Sequence, residues 1–389
     1  MNDPPFLVAG GGIAGLAAGL ALARTSRSVA VFEQAAAFQE EGAGLQISPN
    51  AVRCLRMLGA WDAIESDCIS PSEMHIREGR SAALLQRIRL GKFFATRFGA
   101  PYHLAHRADL LRGLLQTVKA SPDVTLHNGR SAVGAENIEQ GARLHFTEGP
   151  NIDGAAVIAA DGIRSVFRKI IVGDGEPVYS GHAIYRALLP FDRVPPGIAA
   201  DCVTLWLYPG GHVVHYAVSN WRQFNIVAVL DSRWRGEGWS QPVRSAEVVS
   251  SFADAASPLA DLLASVSVWK RFAAADRRPA VTWSNGNVAL IGDAAHASLP
   301  YLAQGAAMAL EDAVILAKCI SADPGIPTAL ANYARLRQPR TARIQRQSRR
   351  LASIYHLRGV SALARNTVLR FLGPEQAIAR NQWIYEWEP

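Results

Sequence analysis

The sequence predicts an α/β fold: a Rossmann-like domain, an inserted antiparallel β-sheet domain and a C-terminal helical region. Three observations lead to this prediction. The chain opens with a strand, a glycine turn and a helix; aromatic, alternating runs occupy residues 179–269; and a helical pattern extends over residues 312–369. A chain of 389 residues also exceeds what one hydrophobic core usually fills, so we expect two cores.

The two cores are expected to interleave in sequence. We predict that residues 1–70, 101–177 and 276–389 form the Rossmann-like domain together with the C-terminal helices. Residues 71–100 and 178–275 are then predicted to form the inserted sheet, because Pro-Gly-Gly and Asp-Ser turns separate the β-rich runs of the longer segment.

The N-terminal unit is a β-α-β pattern. Residues 6–9 are predicted to form a strand, residues 10–12 a glycine turn, residues 13–23 a helix and residues 28–32 a second strand. Five glycines interrupt this apolar run and no basic segment precedes it. We therefore predict neither a signal peptide nor a membrane span here.

Further helices and strands follow the same domain pattern. Apolar residues recur at helical spacing over residues 50–58 and 107–118. Short apolar strands are predicted at residues 155–160 and 288–291, and each leads to an acidic residue beside a glycine. The C-terminal helical region is expected to be interrupted by three prolines, namely Pro324, Pro327 and Pro339.

A glycine motif lies between the first strand and the first helix. Gly10, Gly12 and Gly15 fit G-x-G-x-x-G, in which the three glycines permit a tight turn, a close approach to a pyrophosphate and close helix packing. Glu33 ends the second strand, where a carboxylate can accept hydrogen bonds from ribose hydroxyls. The motif predicts a dinucleotide site; the alternative is a tight turn with a surface glutamate.

A second cluster indicates which dinucleotide is bound. Asp293 follows Gly292 at a strand end, and the mostly small residues 304–313 lead into a helix. Such a helix start can point backbone N–H groups at the polar edge of a flavin. Asp293 could then accept hydrogen bonds from the ribityl chain, so the pattern favours a flavin.

Three segments resemble the fingerprints of single-component FAD-dependent aromatic hydroxylases, of the branch with salicylate hydroxylase, 3-hydroxybenzoate 6-hydroxylase and 6-hydroxynicotinate 3-monooxygenase. These segments are residues 10–15 with Glu33, residues 159–165 around Asp161, and residues 292–296 with Pro300. Further matches are residues 42–51, residues 106–110, Asn332, Tyr333, Arg335 and Arg340. The resemblance covers nearly the whole chain in the right order.

The resemblance implies a set of FAD contacts. The implied cofactor residues are Gly10, Gly12, Ala14, Gly15, Glu33, Gln34, Arg107, Asp161, Asp293, Ala306 and Ala307. Within this set the glycines and Glu33 would hold the ADP half, and Arg107 would contact the pyrophosphate and ribityl region. Asp293 would bind the ribityl chain, and the backbone at Ala306 and Ala307 would face the flavin ring. Asp161 belongs to the segment that the family uses at the pyrophosphate and for NAD(P)H interaction.

One position departs from the family pattern. Relatives often carry glycine where this chain has Ala303, directly before Gln304 and Gly305. A residue with a side chain at this position predicts a turn that does not need a positive φ.

The resemblance also implies the co-substrates. The sequence contains a single G-x-G-x-x-G and no second β-α-β nucleotide module, so NADH or NADPH is expected to bind transiently, reduce the flavin and leave. The reduced flavin would react with O2 to a C4a-hydroperoxide, which transfers oxygen to an electron-rich ring. The expected substrate is a phenolic or hydroxypyridine carboxylate of the salicylate, hydroxybenzoate or hydroxynicotinate type.

A base that ionises the phenol would activate the ring. A phenol with a pKa of about 10 is about one thousandth ionised at pH 7, so removal of its proton contributes roughly 4 kcal/mol. In a strand over residues 210–216, His212 and Tyr216 share one face and His215 points to the other. The related hydroxylases carry a histidine and a tyrosine at the positions of His212 and Tyr216, where they contact the substrate.

These positions give the predicted catalytic set. We predict His212 as the base, Tyr216 as an orienting hydrogen-bond group and Gln304 as a third substrate-side residue. The alternative for His212 is a surface histidine beside a turn. His296 lies within a flavin fingerprint, where we expect a structural role.

The positive charge of the chain is local. The formal net charge is +7, but residues 325–374 carry ten Arg and no Lys, Asp or Glu, which leaves −3 for the remainder. A solvated helix face is predicted from the spacing of Arg335, Arg340, Arg343, Arg346 and Arg350. No recognised nucleic-acid-binding motif accompanies this charge, so nucleic acid is not an expected partner. The alternative is a surface that attracts anionic NAD(P)H and carboxylate substrates.

The four cysteines lie far apart, without C-x-x-C or metal-type spacing. We therefore expect a reduced, cytoplasmic protein without a metal site, with a homodimer as one option for its assembly. Two other functions stay open. One is an FAD hydroxylase of a larger, polyketide-like aromatic, and the other is a flavoprotein that does not oxygenate.

Overall fold

The computed structural model of the protein describes residues 3–38, 42–233 and 240–389. Its strands, in chain order, are β1 (Phe6–Ala9), β2 (Val29–Glu33), β3 (Gly44–Ile47), β4 (Glu73–Glu78), β5 (Leu84–Arg89), β6 (His103–His106), β7 (Val124–Asn128), β8 (Ala132–Ile138), β9 (Gly141–Phe146), β10 (Ile152–Gly154), β11 (Ala156–Ala159), β12 (Val178–Pro190), β13 (Cys202–Tyr208), β14 (Gly211–Val218), β15 (Gln223–Asp231), β16 (Ser240–Arg244), β17 (Val268–Asp276), β18 (Ser284–Asn285) and β19 (Val288–Leu290).

The helices connect and cover these strands. In chain order they are α1 (Ile13–Ala23), α2 (Pro49–Met57), α3 (Gly91–Phe98), α4 (Arg107–Lys119), α5 (Val166–Ile171), α6 (Ser245–Ser251), α7 (Leu259–Ala264), α8 (Asp293–His296), α9 (Gly305–Ala322), α10 (Ile326–Tyr355), α11 (Gly359–Phe371), α12 (Pro374–Ala379) and α13 (Gln382–Tyr385).

The Rossmann-like part is a sheet of order β18-β19-β11-β1-β2-β7, in which the described strands other than β18 run parallel. Every residue of β1 and β11 is fully buried, as a parallel strand covered on both faces requires. Helix α1 joins β1 to β2 and packs against α9. The predicted α/β fold is thereby confirmed.

The second sheet has the order β16-β17-β12-β15-β14-β13-β4-β5 in the described part of the chain. Its pairs are antiparallel except for β13 and β4, which run parallel. Two separate segments therefore supply it: β4 and β5 precede β6, whereas β12–β17 follow α5. This sheet carries its own hydrophobic core, which includes Trp206, Phe224 and Trp269.

The C-terminal helices correct one prediction. Helix α9 ends before Pro324, and Pro327 lies in the first turn of α10, as expected. Pro339, however, lies inside α10, which continues to Tyr355. Proline removes one intrahelical hydrogen bond, and here the packing of Tyr333 and Ile344, both fully buried, holds the helix on either side of it.

The arginines of α10 divide into two groups. Arg335, Arg343, Arg346 and Arg350 are exposed, so the solvated face is largely confirmed. Arg340 differs, because its guanidinium forms two 2.7 Å hydrogen bonds with the buried carboxylate of Glu311. In the described residues, none of the helices combines the length and the apolar character that a membrane crossing needs.

Candidate active site

A cavity of about 770 Å³ lies between the two sheets. One end is lined by the loop that follows β1, and the other by residues of β12, β14 and β15. The carboxyl ends of β1, β2, β11 and β19 all open on it, which is where ligands bind in open parallel sheets.

The loop after β1 is built from residues without side chains. Gly10 has a φ of +114°, and a Cβ atom on it would lie 2.3 Å from the carbonyl oxygen of Ala160. Gly12 caps the N-terminus of α1 and lines the cavity with Ala14. The N-terminal N–H groups of a helix carry partial positive charge, so this loop offers a place for an anion such as a phosphate.

The carboxylate of Glu33 lies at the end of β2 beside that loop. It accepts hydrogen bonds of 2.8 Å from the backbone N–H groups of Gly11 and Ala35. Glu33 and Gln34 both line the cavity. The predicted neighbours of a ribose are therefore next to the predicted pyrophosphate loop.

Arg107, Asp161 and Asp293 line the middle of the cavity. Burial lowers the pKa of Arg107, and the nearby charge of Asp293 opposes this shift. Burial raises the pKa of Asp161, whose Oδ2 atom accepts a 2.8 Å hydrogen bond from the N–H of Val166. The structure thus brings the three sequence fingerprints together, although Asp161 and Asp293 are far apart in sequence.

The far end of the cavity is one face of the second sheet. His212, Val214 and Tyr216 of β14 point into it, as strand alternation predicts. His215 points away and accepts a 2.9 Å hydrogen bond from the indole N–H of Trp206. The predicted sharing of one strand face by His212 and Tyr216 is confirmed.

Comparison with known proteins agrees with this arrangement. A family model described as "FAD binding domain" matches residues 4–348. The chain is 38% identical to the 3-hydroxybenzoate 6-hydroxylase of Polaromonas naphthalenivorans, over 99% of this chain and 96% of that protein. The chain belongs to this FAD-binding family. The predicted resemblance to FAD-dependent aromatic hydroxylases is confirmed.

Two further matches extend over most of the chain. A 3-amino-4-hydroxybenzoate 2-monooxygenase of Streptomyces platensis is 39% identical over 92% of this chain and 89% of that protein. Among solved structures, an HpxO variant of Klebsiella pneumoniae complexed with FAD superposes with a TM-score of 0.87. It is 26% identical and covers 99% of this chain and 98% of its own.

The residues of the cavity fit FAD. A Cβ atom on Gly15 would lie 1.8 Å from the carbonyl oxygen of Gly10, and one on Gly11 would lie 2.4 Å from the ring of Phe38. Side chains at these two positions would collide with the protein itself, so the glycines let the loop and the start of α1 pack closely beside the cavity, where the backbone can approach a pyrophosphate. The positive helix end and Arg107 suit a pyrophosphate, while Glu33 suits a ribose.

Three predicted site residues lie outside the cavity wall. Gly15 packs behind the loop against Gly10, and Ala307 is buried within α9, whereas its neighbour Ala306 lines the cavity. Gln304 is 3% exposed and lies behind the wall. Its Nε2 donates to Ser48, and its Oε1 accepts a 3.1 Å hydrogen bond from Asn50. The structure therefore does not bring Gln304 to the substrate side.

Ala303 corrects the prediction made from its side chain. Its φ is +52°, in the left-handed region, so the turn does need a positive φ although the residue is not glycine. The side chain faces the cavity, which leaves room for its Cβ atom. Residue type alone therefore does not determine the backbone conformation at this position.

Two histidines of the prediction are buried. His212 is 5% exposed, which excludes the alternative of a surface histidine. Burial, helped by His356 and His182, lowers its pKa well below the usual value, so the imidazole is neutral at pH 7. His296 is fully buried and its Nε2 contacts Oδ2 of Asp312, which fits the structural role expected for it.

Arg186 is a cavity residue that the sequence did not indicate. It lies on β12 on the same face as Ile184, opposite Val227 of β15. Burial and the neighbouring charge of Arg107 lower its pKa to about 10, and among the described residues no carboxylate pairs with it. An arginine at the inward position of an alternating strand was the available signal, because such positions are normally apolar.

Proposed function

We propose that this FAD-dependent enzyme hydroxylates a phenolic or hydroxypyridine carboxylate, of the salicylate, hydroxybenzoate or hydroxynicotinate type, with NADH or NADPH and O2. One observation carries the proposal: a neutral buried histidine, a tyrosine and an arginine that no carboxylate of the described residues pairs with line the same end of the FAD cavity. The two relatives described above are named for hydroxybenzoate substrates, which supports the proposal.

The substrate ring is proposed to lie against an aliphatic wall. Ile184, Val214, Val227 and Val229 line this end of the cavity. Such side chains shield the faces of an aromatic ring from water. The polar substituents at the ring edge then need hydrogen-bond partners from the protein. Arg186 supplies two parallel N–H donors that match the geometry of a carboxylate.

His212 is proposed to take the phenolic proton. A neutral imidazole with a free ring nitrogen is the form of histidine that can act as a base. Ionising a phenol whose pKa is about 10 at pH 7 corresponds to roughly 4 kcal/mol of ring activation. Tyr216, whose pKa is raised by burial, keeps its hydroxyl proton and is proposed to orient the substrate by a hydrogen bond.

The cofactor assignment is proposed residue by residue. Gly10, Gly12, Ala14, Glu33 and Gln34 hold the ADP half, and Gly15 positions their loop from behind. Arg107, Asp161 and Asp293 hold the pyrophosphate and ribityl chain. Ala306 faces the ring system, whereas Ala307 is buried behind it. Bound FAD supplies the redox and oxygen-activating chemistry. The protein residues bind and orient the two ligands and exclude water from them.

The co-substrates and setting complete the proposal. NADH or NADPH binds transiently and O2 is the oxidant. A reducing cytoplasm would supply the nicotinamide and keep the four thiols, which are all free in the structure, from oxidising. A homodimer is the proposed assembly, and sedimentation of the holoenzyme tests this by measuring the molecular mass of the assembly.

Rapid mixing of the FAD-loaded protein with NADH or NADPH tests the proposal. The reaction is followed with and without salicylate, 3-hydroxybenzoate or 6-hydroxynicotinate. We expect at least one of these acids to accelerate flavin reduction, and we expect its hydroxylated product to accumulate. A flavoprotein that shows no stimulation by any aromatic acid would contradict the proposal, and stimulation by polycyclic aromatics alone would favour the larger substrate class.

A further inference from the structure

A row of three hydrogen-bonded side chains leads from the cavity to the surface. Nδ1 of His212 lies 3.1 Å from Nε2 of His356, and Nδ1 of His356 lies 2.5 Å from Oδ1 of Asp231. The histidines are 5% and 7% exposed, whereas the Asp231 side chain is 40% exposed. The row therefore begins at the cavity wall and ends in solvent.

Three different elements hold the row in place. His212 lies on β14, His356 caps the C-terminus of α10, and Asp231 is the last residue of β15. The backbone ties them together as well, because the N–H of Gly210 donates to the carbonyl of His356, and the N–H of Asp231 donates to the carbonyl of Gly210. The geometry is thus set by the fold and not by one flexible loop.

The carboxylate at the outer end fixes the tautomers of both rings. Asp231 accepts, so the proton of a neutral His356 lies on Nδ1 and its Nε2 is an acceptor. His212 must then donate from its own Nδ1. The lone pair of His212 is left on Nε2, on the opposite side of the ring and toward the cavity that His212 lines.

We infer that His356 and Asp231 are positioning residues, which hold His212 as the Nδ1–H tautomer and carry the phenolic proton from the cavity to solvent. The inference rests on the proposed role of His212 as the base. When Nε2 of His212 takes the proton, Nδ1 passes its own proton to Nε2 of His356, and Nδ1 of His356 passes one to Asp231. The solvent-exposed carboxylate of Asp231 then releases that proton to water. The same transfers in reverse reprotonate the product.

The groups around the row suit this transfer. Burial lowers the pKa of His356, and the hydrogen bond that His356 donates to Asp231 opposes the shift. Burial alone would raise the pKa of Asp231, but Arg358 and His356 hold it below its usual value, so it is an ionised acceptor. Among the described residues, the other groups that face the row are His182, Tyr301, Tyr355, Arg358 and Arg365.

Nitrogen NMR of the histidine-labelled holoenzyme tests the positioning role without any substrate. We expect the resonances of His212, assigned by their loss in His212→Gln, to report a protonated Nδ1 and an unprotonated Nε2. His356→Phe removes the acceptor, so the Nε2–H form should then be populated. A wild-type His212 protonated on Nε2 would overturn the inference.

A pH jump on the holoenzyme with bound 3-hydroxy-4-nitrobenzoate tests proton transport. This chromophoric hydroxybenzoate reports its own ionisation by absorbance. We expect His356→Phe and Asp231→Asn to slow the appearance of the phenolate at least tenfold with unchanged FAD content, and Asp231→Glu to restore part of the rate. The control His215→Gln changes a buried histidine on the opposite face of β14 and should leave the rate within twofold of the wild type.

The two assignments fail in different ways. The proposed function is contradicted if His212→Gln ionises the bound probe as the wild type does, or if the wild type does not bind the probe. In either case the NMR result still decides the tautomer of His212. If His212→Gln blocks ionisation but His356→Phe retains a rate within twofold of the wild type, the proton-transfer role of the row is overturned.

Discussion

A Cβ atom on Gly15 would lie 1.8 Å from the carbonyl oxygen of Gly10. The first turn of α1 therefore touches the loop that follows β1, and Gly10 itself adopts a φ of +114°. This contact determines where the helix N-terminus lies relative to the cavity. It links a residue outside the cavity wall to the position of the cofactor.

Gly15→Ala is expected to weaken FAD binding at least tenfold. The added methyl group must displace the loop or the helix, and overpacking of this kind costs about 1–3 kcal/mol. Flavin fluorescence during titration of the apoprotein with FAD measures the change. Gly134→Ala is the matched control, because its Cβ atom would meet Ile170 at an ordinary 3.7 Å; equal losses in both variants would refute the account.

Arg186→Gln is expected to weaken binding of 3-hydroxybenzoate about tenfold or more. Hydrogen bonds to a charged group contribute about 1.5–3 kcal/mol, and the variant removes the charge. The dissociation constant is read from the flavin spectrum. Binding of the uncharged 3-hydroxybenzamide should change much less, and an equal loss for both ligands would show that Arg186 does not pair with the carboxylate.

Arg337→Met is expected to lower the free energy of unfolding by about 3–5 kcal/mol. Arg337 is 1% exposed and forms 2.7 Å salt bridges with Glu311 and Asp312, which are fully buried. Its removal leaves the buried carboxylate of Asp312 without a guanidinium partner and that of Glu311 with Arg340 alone. Urea unfolding measures the effect, and the exposed Arg335 gives the control Arg335→Met, expected to stay within about 0.5 kcal/mol. Similar small effects in both would contradict the prediction.

The protein is expected to lose stability as the pH falls from about 6.5 to 4.5. Burial lowers the pKa of His103 and His182 to about 4 and that of His215 to about 3. The unfolded chain, with histidine pKa values of about 6.5, then binds more protons, and each such histidine contributes up to about 1.4 kcal/mol per pH unit. The stability is fully present above pH 6.5.

Urea midpoints at pH 7.5, 6.0 and 5.0 measure this dependence. His215→Gln should reduce the slope, whereas His127→Gln, which changes an exposed histidine of β7, should not. A midpoint that is independent of pH over this range would be inconsistent with buried neutral histidines.

The sequence predicted what local pattern determines. The bounds of β1 and α1 agree with those of the structure, because apolar runs and glycines set them locally. Alternation along β14 also placed His212 and Tyr216 on one face. These features depend on neighbours in sequence, so a single sequence contains them.

Long-range packing explains the rest. His356 contacts His212 across 144 positions, and no periodicity links the two. Gln304 was predicted on the substrate side, but its side-chain amide is hydrogen-bonded to Asn50 and Ser48. Arg186 belonged to a β-rich run without a motif, so its inward direction emerged from the sheet register.

The coupling ratio of His212→Ala tests the central claim most directly. The measurement compares hydroxylated acid with hydrogen peroxide formed per NAD(P)H oxidised by the FAD-loaded enzyme, in wild type and variant. In the variant we expect FAD to stay bound, hydroxylation to fall, and hydrogen peroxide to account for most of the NAD(P)H consumed. Wild-type coupling in the variant would contradict the assignment of His212 as the base.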